Sequence, residues 1–328
     1  MDYFRTTFYG YPKHRELRNF MPEPKKLCLN NYGENNGILV LNWLESLRIP
    51  NLTHLYLSGN GLLSPKLCHI VPDMNNLSHL YMDRTAINYF NTITLPNLRY
   101  LSMDGNRIRS LGGDYNNYGN YLIPRQMYNL EYLSLANNGM EDIGSTFFES
   151  LRNVQFLNLA GNAIEHFPKE VSMNLVNLKN LTLDNNNLPS VPRICEMEAL
   201  RSLSLNGNNI ESVNDTSFCN MQYLSAIYLS NNGLRIIDDE TFGHLPALLV
   251  LDLSRNNIVF LAEHWIAPNN FITELHLDGN QFVDIDSMSL KVNGLECLMP
   301  VAILSLMHLP NSTRIDVFRE STCRPWSE

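Results

Sequence analysis

Residues 224–248 read LSAIYLSNNGLRIIDDETFGHLPAL. From Ala226 to Leu229, outward and inward residues alternate. Ile227 and Leu229 fall on one side and Ala226 and Tyr228 on the other, the two-residue period of a β-strand. Asn232 closes the run. Leu234, Phe242, Leu245 and Leu248 then return at fixed offsets before the pattern begins again. A strand this short cannot bury its apolar face alone, so the reading turns on whether it has copies.

It does. Ten segments fit L-x-x-L-x-L-x-x-N, beginning at Leu52, Leu77, Leu98, Leu130, Val154, Leu178, Leu200, Leu224, Leu248 and Ile272. Successive starts lie 21 to 25 residues apart, except for 32 between Leu98 and Leu130. A degenerate earlier copy, KKLCLNNY (25–32), puts Leu27 and Leu29 in the matching slots. A period in this range predicts a solenoid, with one strand per coil stacked in parallel.

The ninth slot holds Asn60, Asn106, Asn138, Asn162, Asn186, Asn208, Asn232, Asn256 and Asn280, with Thr85 in one coil. A primary amide carries two donors and an acceptor, so it can satisfy backbone groups where the coil turns inward. Other columns are apolar: Leu62, Ile87, Ile108 and Met140 two residues past that slot, Met74, Leu95 and Met127 before the next coil, and Phe148, Phe218 and Phe242 in another. The methionines therefore read as core rather than as a cofactor surface.

Composition excludes several classes. Charged residues are 17% and the net charge is −9, which predicts no nucleic-acid partner and no anionic membrane surface. No apolar run nears the ~20 residues that cross a bilayer, so no transmembrane segment is expected in this chain. The opening MDYFRTTFYGYPKHREL lacks the apolar core of a secretory signal. The six cysteines include no C-x-x-C pair, so no metal site is expected. There is no glycine-rich phosphate loop, no G-x-S-x-G and no H-E-x-x-H, hence no catalytic residue and no cofactor. Asp104, Asp184 and Asp278, in the seventh slot, read as solvated side chains.

These units resemble the 24-residue class of leucine-rich repeats, over roughly residues 24–286. The resemblance implies an α/β solenoid, a leucine-rich repeat horseshoe with a parallel concave sheet, about ten full repeats and caps. It divides the chain into a poorly ordered arm (1–23), an irregular first repeat or N-terminal cap (24–51), the repeats (52–286) and a C-terminal cap (287–328). Proteins of this class include Toll-like receptor ectodomains, small proteoglycans and insect leucine-rich immune proteins. The expected function is accordingly non-enzymatic binding of a protein or glycan, extracellular or at a cell surface, in innate immune recognition. The alternative is a cytoplasmic scaffold or regulatory subunit, favoured by the missing signal. The resemblance also implies that Cys297 and Cys323 bracket the C-terminal cap as a disulfide. Cys195 and Cys219 share a slot in adjacent coils, within reach of each other, as a disulfide or as two reduced thiols. Asn51, Asn76, Asn180, Asn214 and Asn311 head N-x-S/T sequons and are candidate glycosylation sites.

Function should reside in the outward slots, which the repeat leaves free. His54, His79, Tyr100, Tyr132 and Phe156 fill the third slot of the first five repeats, with Tyr56 and Tyr81 in the fifth. Together these seven form the candidate partner-binding stripe, since aromatic side chains offer contact area at low entropic cost. The competing reading is cross-strand stacking that only stabilises the sheet. The excess in the third repeat, GGDYNNYGNY (112–121), is expected to leave the solenoid as a loop.

Overall fold

The computed structural model describes residues 4–5, 25–31, 40, 42, 44, 49–61, 74–88, 95–111, 121–122, 127–266, 272–284 and 286–289. They belong to two compact units, Met1–Leu178 and Lys179–Glu328. In the first, β1 (Phe4–Arg5), β2 (Lys26–Cys28), β3 (His54–Tyr56), β4 (His79–Tyr81), β5 (Tyr100–Ser102), β6 (Tyr132–Ser134) and β7 (Phe156–Asn158) run parallel, each beside its predecessor. In the second, β8 (Asn180–Thr182), β9 (Ser202–Ser204), β10 (Ala226–Tyr228), β11 (Val250–Asp252) and β12 (Glu274–His276) do the same. Register pairs slot with slot: Leu55 faces Leu80, and Leu203 faces Ile227. This is the parallel-sheet solenoid that the repeat pattern predicts. Phe4 and Arg5, inside the segment expected to be an arm, extend the first sheet by pairing with Leu27 and Cys28.

Each strand is short because the chain turns sharply after it, and the ninth-slot asparagine fastens that turn to the coil before it. Asn106 donates to the Met103 carbonyl of its own coil and the Met82 carbonyl of the preceding one, both at 2.8 Å. Its Oδ1 accepts from the Thr85 and Ile87 amides of that preceding coil, at 2.9 and 3.1 Å. Asn208 repeats the pattern on Leu183, Leu205 and Leu188. One buried side chain thus satisfies backbone groups of two coils. Thr85 does less, its single hydroxyl proton shared between the Met82 carbonyl of its own coil at 2.9 Å and Asn106 Oδ1 at 3.0 Å.

A second regularity sits one residue earlier. The eighth slot is left-handed in every described coil, from Asn31 (φ 62), Gly59 (φ 76) and Arg84 (φ 51) to Arg255 (φ 55) and Gly279 (φ 69). Glycine and asparagine are favoured there because they tolerate positive φ. Large and small residues also alternate along most of the column. A Cβ on Gly161 would collide with the Oδ1 of Asn137 in the coil before it. Gly161 is small because its neighbour is not.

The core lies behind the sheet. Leu52, Leu55 and Leu57 are completely buried, as are their counterparts Leu200, Leu203 and Leu205. Phe218 stacks on Phe242 at 5.4 Å, and Trp265 meets Phe242 edge-on at 6.0 Å. The coils of the first unit also carry a 3₁₀ turn (Ser145–Ser150) and a short helix, α1 (Lys169–Asn174). In the overlong repeat, Tyr121–Leu122 pair with Ser110–Leu111, while residues 112–120 lie outside the described residues. Cys68, Cys297, Cys323 and Asn311 also lie outside them. Among the described residues no helix is long and apolar enough to cross a membrane.

Candidate functional site

The outward slots of the first unit converge into a stack of rings. Parallel pairing sets like on like, so residues one coil apart stand one strand spacing apart, close to the thickness at which rings meet face to face. His54 and His79 stack at 4.1 Å with planes 6° apart, and Tyr56 and Tyr81 at 4.5 Å and 7°. Tyr100 joins both rows, 5.7 Å from His79 and 4.8 Å from Tyr81. Tyr132 stacks on it at 4.0 Å, and Phe156 closes the series, tilted, at 6.3 Å. All seven predicted residues are thus brought together. Six are half-buried, and Phe156 is 41% exposed at the end of the row.

Packing holds this surface uncharged. Burial lowers the His54 imidazole to about 4, aided by His79 and Lys26. His79 is also lowered, first by burial and then by Lys26, with Glu131 opposing and Arg99 reinforcing. Tyr81 is pushed up to about 12 by burial and by its neighbour Tyr56. Burial and Tyr132 push Tyr100 up as well. Charge is confined to the margins, where Lys26 lies in register with His54 and an exposed pair links Arg99 to Glu131 at 2.7 Å.

A second row of side chains corrects the reading of Asp104 and Asp184 as solvated. Asp104 is half-buried and accepts from the Ser134 hydroxyl at 2.6 Å and the Ala136 amide at 2.8 Å, one coil on. Burial still raises its carboxyl, against those two bonds. Asp83 binds Ser102 and the Asp104 amide in the same way, and Asp184 binds Ser204 and the Asn206 amide. These carboxylates are coil-to-coil fasteners. The sequence signal was available: a seventh-slot aspartate precedes a fifth-slot serine one coil later.

The structure joins Cys195 to Cys219, with Cα atoms 5.0 Å apart. Cys28, in register with Tyr56, is a buried free thiol. Asn51, Asn76 and Asn214 are exposed, and Asn180 is half-buried on the strand β8. The Asn76 amide donates to the Pro50 carbonyl, whereas Asn214 accepts the Thr216 hydroxyl of its own sequon. Among the described residues no group of three or more His, Cys, Asp or Glu is placed to hold a metal ion.

Comparison with known proteins bears on both fold and partner. Leucine-rich repeat models match residues 51–74, 128–188, 198–249 and 222–282, together more than half of the chain. A search of curated protein sequences finds no match. Among solved structures, the Toll–Spätzle complex of Drosophila aligns with a TM-score of 0.64 at 23% identity, covering 77% of this chain and 33% of that one. A complex of TLR13 with the single-stranded RNA ssRNA13 aligns with a TM-score of 0.60 at 20% identity, covering 81% and 41%. The chain therefore spans well under half the length of either. The second structure overturns the exclusion of nucleic acid drawn from net charge, because a solenoid of this kind is there in complex with RNA. The inference failed because net charge sums over all faces, whereas a ligand meets one.

Proposed function

We propose that this chain, which belongs to the leucine-rich repeat family, works as a non-enzymatic recognition module, secreted or carried by a receptor, in innate immune recognition. It takes its partner on the exposed face of the sheet in the first five repeats. One observation carries the reading: His54, Tyr56, His79, Tyr81, Tyr100, Tyr132 and Phe156 form a single stacked, uncharged surface where the repeat demands no particular residue. Rings held rigid by their neighbours have already lost their rotamer freedom, so contact with them costs little further entropy. The Cys195–Cys219 bridge supports an oxidising compartment. The partner is a protein, a glycan or a nucleic acid. The C-terminal cap, with its Cys297–Cys323 bridge, and the N-terminal cap over 24–51 belong to the same reading.

The test is the double variant Tyr81→Ala with Tyr100→Ala. Any ligand bound by the wild-type chain in biolayer interferometry should lose at least ~30-fold in affinity, the equivalent of ~2 kcal/mol for aromatic anchors. Unchanged affinity in a variant that still folds would move the site off this face.

A further inference from the structure

The two histidines carry information that the stacked rings alone do not. The Thr53 hydroxyl lies 2.8 Å from the Lys25 carbonyl and 2.9 Å from His54 Nδ1. The Ser78 hydroxyl lies 3.0 Å from the Thr53 carbonyl and 2.9 Å from His79 Nδ1. A hydroxyl has one proton to donate. Two further coils settle where it goes. Ser225 donates to the Arg201 carbonyl at 3.0 Å and Thr273 to the Leu249 carbonyl at 3.2 Å, yet the residues that follow them are Ala226 and Glu274. The hydroxyl-to-carbonyl bond thus belongs to the coil, with or without a histidine. At His54 and His79 the hydroxyl oxygen is left to accept, so each Nδ1 must carry the proton. In the neutral rings each Nε2 is then a bare lone pair, and neither makes a hydrogen bond to another described residue.

We propose that His54 and His79 form a paired acceptor site for an uncharged hydroxyl-rich ligand, a neutral saccharide, whose hydroxyls donate to the two Nε2 atoms. This rests on the recognition face proposed above and names the ligand class for its N-terminal end. Three observations select that class. Acceptors require donors. Lys26, in register with His54, and Arg99, acting on His79, disfavour a cationic donor such as an ammonium or guanidinium. The third is spacing. The rings stand 4.1 Å apart, whereas an extended peptide presents its amides to one side only every ~6.7 Å. Hydroxyls on neighbouring and next-neighbouring carbons of a pyranose bracket the ring spacing. The phenols of Tyr56 and Tyr81, stacked at 4.5 Å in the adjoining row, supply partners that both donate and accept. A metal ion fits poorly, because lone pairs on rings only 6° from parallel do not converge. The downward shift of both imidazoles by burial agrees, since the pair binds without taking up a proton.

Long-range ¹H–¹⁵N correlation spectra of the labelled chain at pH 7 test this directly. Both rings should show the neutral Nδ1–H form. The chain is then titrated with cellohexaose, chitohexaose and laminarihexaose, and separately with a single-stranded RNA oligonucleotide and with inorganic phosphate. At least one saccharide should shift both Nε2 resonances. His79→Phe, which keeps a ring in the stack but removes the acceptor, should weaken that saccharide at least tenfold. Nε2–H rings, no response to any of the three saccharides, or a response only to RNA or phosphate would each overturn the proposal. If Tyr81→Ala with Tyr100→Ala still weakens another ligand in that event, the recognition face stands and only the saccharide assignment falls.

Discussion

The first and second units use the same strand geometry and the same inward residues, yet their exposed faces differ. In the first, the third slots hold the rings of His54, His79, Tyr100, Tyr132 and Phe156, and the fifth hold Tyr56 and Tyr81 before giving way to Ser102, Ser134 and Asn158. In the second they hold Asn180, Ser202, Ala226, Val250 and Glu274, with Thr182, Ser204, Tyr228, Asp252 and His276, small or polar side chains for the most part. Register is slot on slot in both. Sheet formation therefore does not require the aromatic ladder, and its confinement to one unit supports a role in recognition. Stacking and binding are also not exclusive. The rings do stack across strands, and that stacking is what makes them rigid.

The sharpest way to break this comparison is to strike both units at the same inward slot. Leu101 and Leu203 are buried at 1% and 0% exposure. Leu101→Ala and Leu203→Ala should each cost ~2–5 kcal/mol in denaturant unfolding, the range for a cavity left in a packed core. A far smaller loss at Leu101 would mean that the aromatic ladder, and not the leucine column, holds the first unit together. Next in size is the asparagine column. Asn106→Ala and Asn208→Ala should cost ~1–3 kcal/mol each, because backbone groups of two coils lose their partners while remaining buried. The loss should be larger at Asn106, which also accepts from Thr85.

These columns were legible in the sequence because they are periodic and chemically constrained. An inward slot tolerates only apolar residues of similar size, and the ninth slot holds an amide in every full repeat but that of Thr85. The aromatic stripe was legible as a list, but its stacking was not, since ring distance depends on rotamers that a repeat pattern does not fix. The left-handed eighth slot was partly hidden. Gly59, Gly105, Gly161 and Gly207 announce it, but Arg84 and Arg255 occupy the same conformation without looking like turn residues. Asp104 and Asp184 were misread because an acidic side chain near a turn looks solvated until the serine one coil away is placed beside it. The tautomers of His54 and His79 depend on hydroxyls bonded to backbone of the preceding coil, a relation across 25 to 28 residues.

A smaller effect separates the units by pH. His54 is lowered in the folded chain from 6.5 to about 4. The unfolded chain therefore takes up the proton first as the medium acidifies. The contribution to stability is whole above 6.5, falls as pH drops from 6.5 to about 4, and is constant below. Discounted for the partial exposure of the ring, it should be under about 1 kcal/mol. Thermal melts of wild type and His54→Phe at pH 7.5 and 4.5 isolate it. The wild type should lose more Tm on acidification than the variant, and equal losses would mean that His54 titrates alike in both states.

The smallest expected effect concerns the one coil that departs from the asparagine column. Thr85 satisfies the Met82 carbonyl of its own coil but has no amide to extend to Leu57 in the coil before. In Thr85→Asn the new side chain can donate to both Leu57 and Met82, as Asn106 donates to Met82 and Met103. A carbonyl has two lone pairs, so Leu57 can accept this bond while keeping the one from Asn60 at 2.7 Å. The cost is the Thr85 hydroxyl bond to Asn106 Oδ1, which retains the amides of Thr85 and Ile87. The balance should lie within ~0.5 kcal/mol of zero or on the stabilising side, as for one neutral hydrogen bond exchanged for another. Ala86 makes the coil informative, because it adopts φ 55 immediately after Thr85. If chemical unfolding of Thr85→Asn shows a loss well beyond that range, the left-handed Ala86 turn has closed the space an amide needs, and the threonine is there because the coil is tighter than the others.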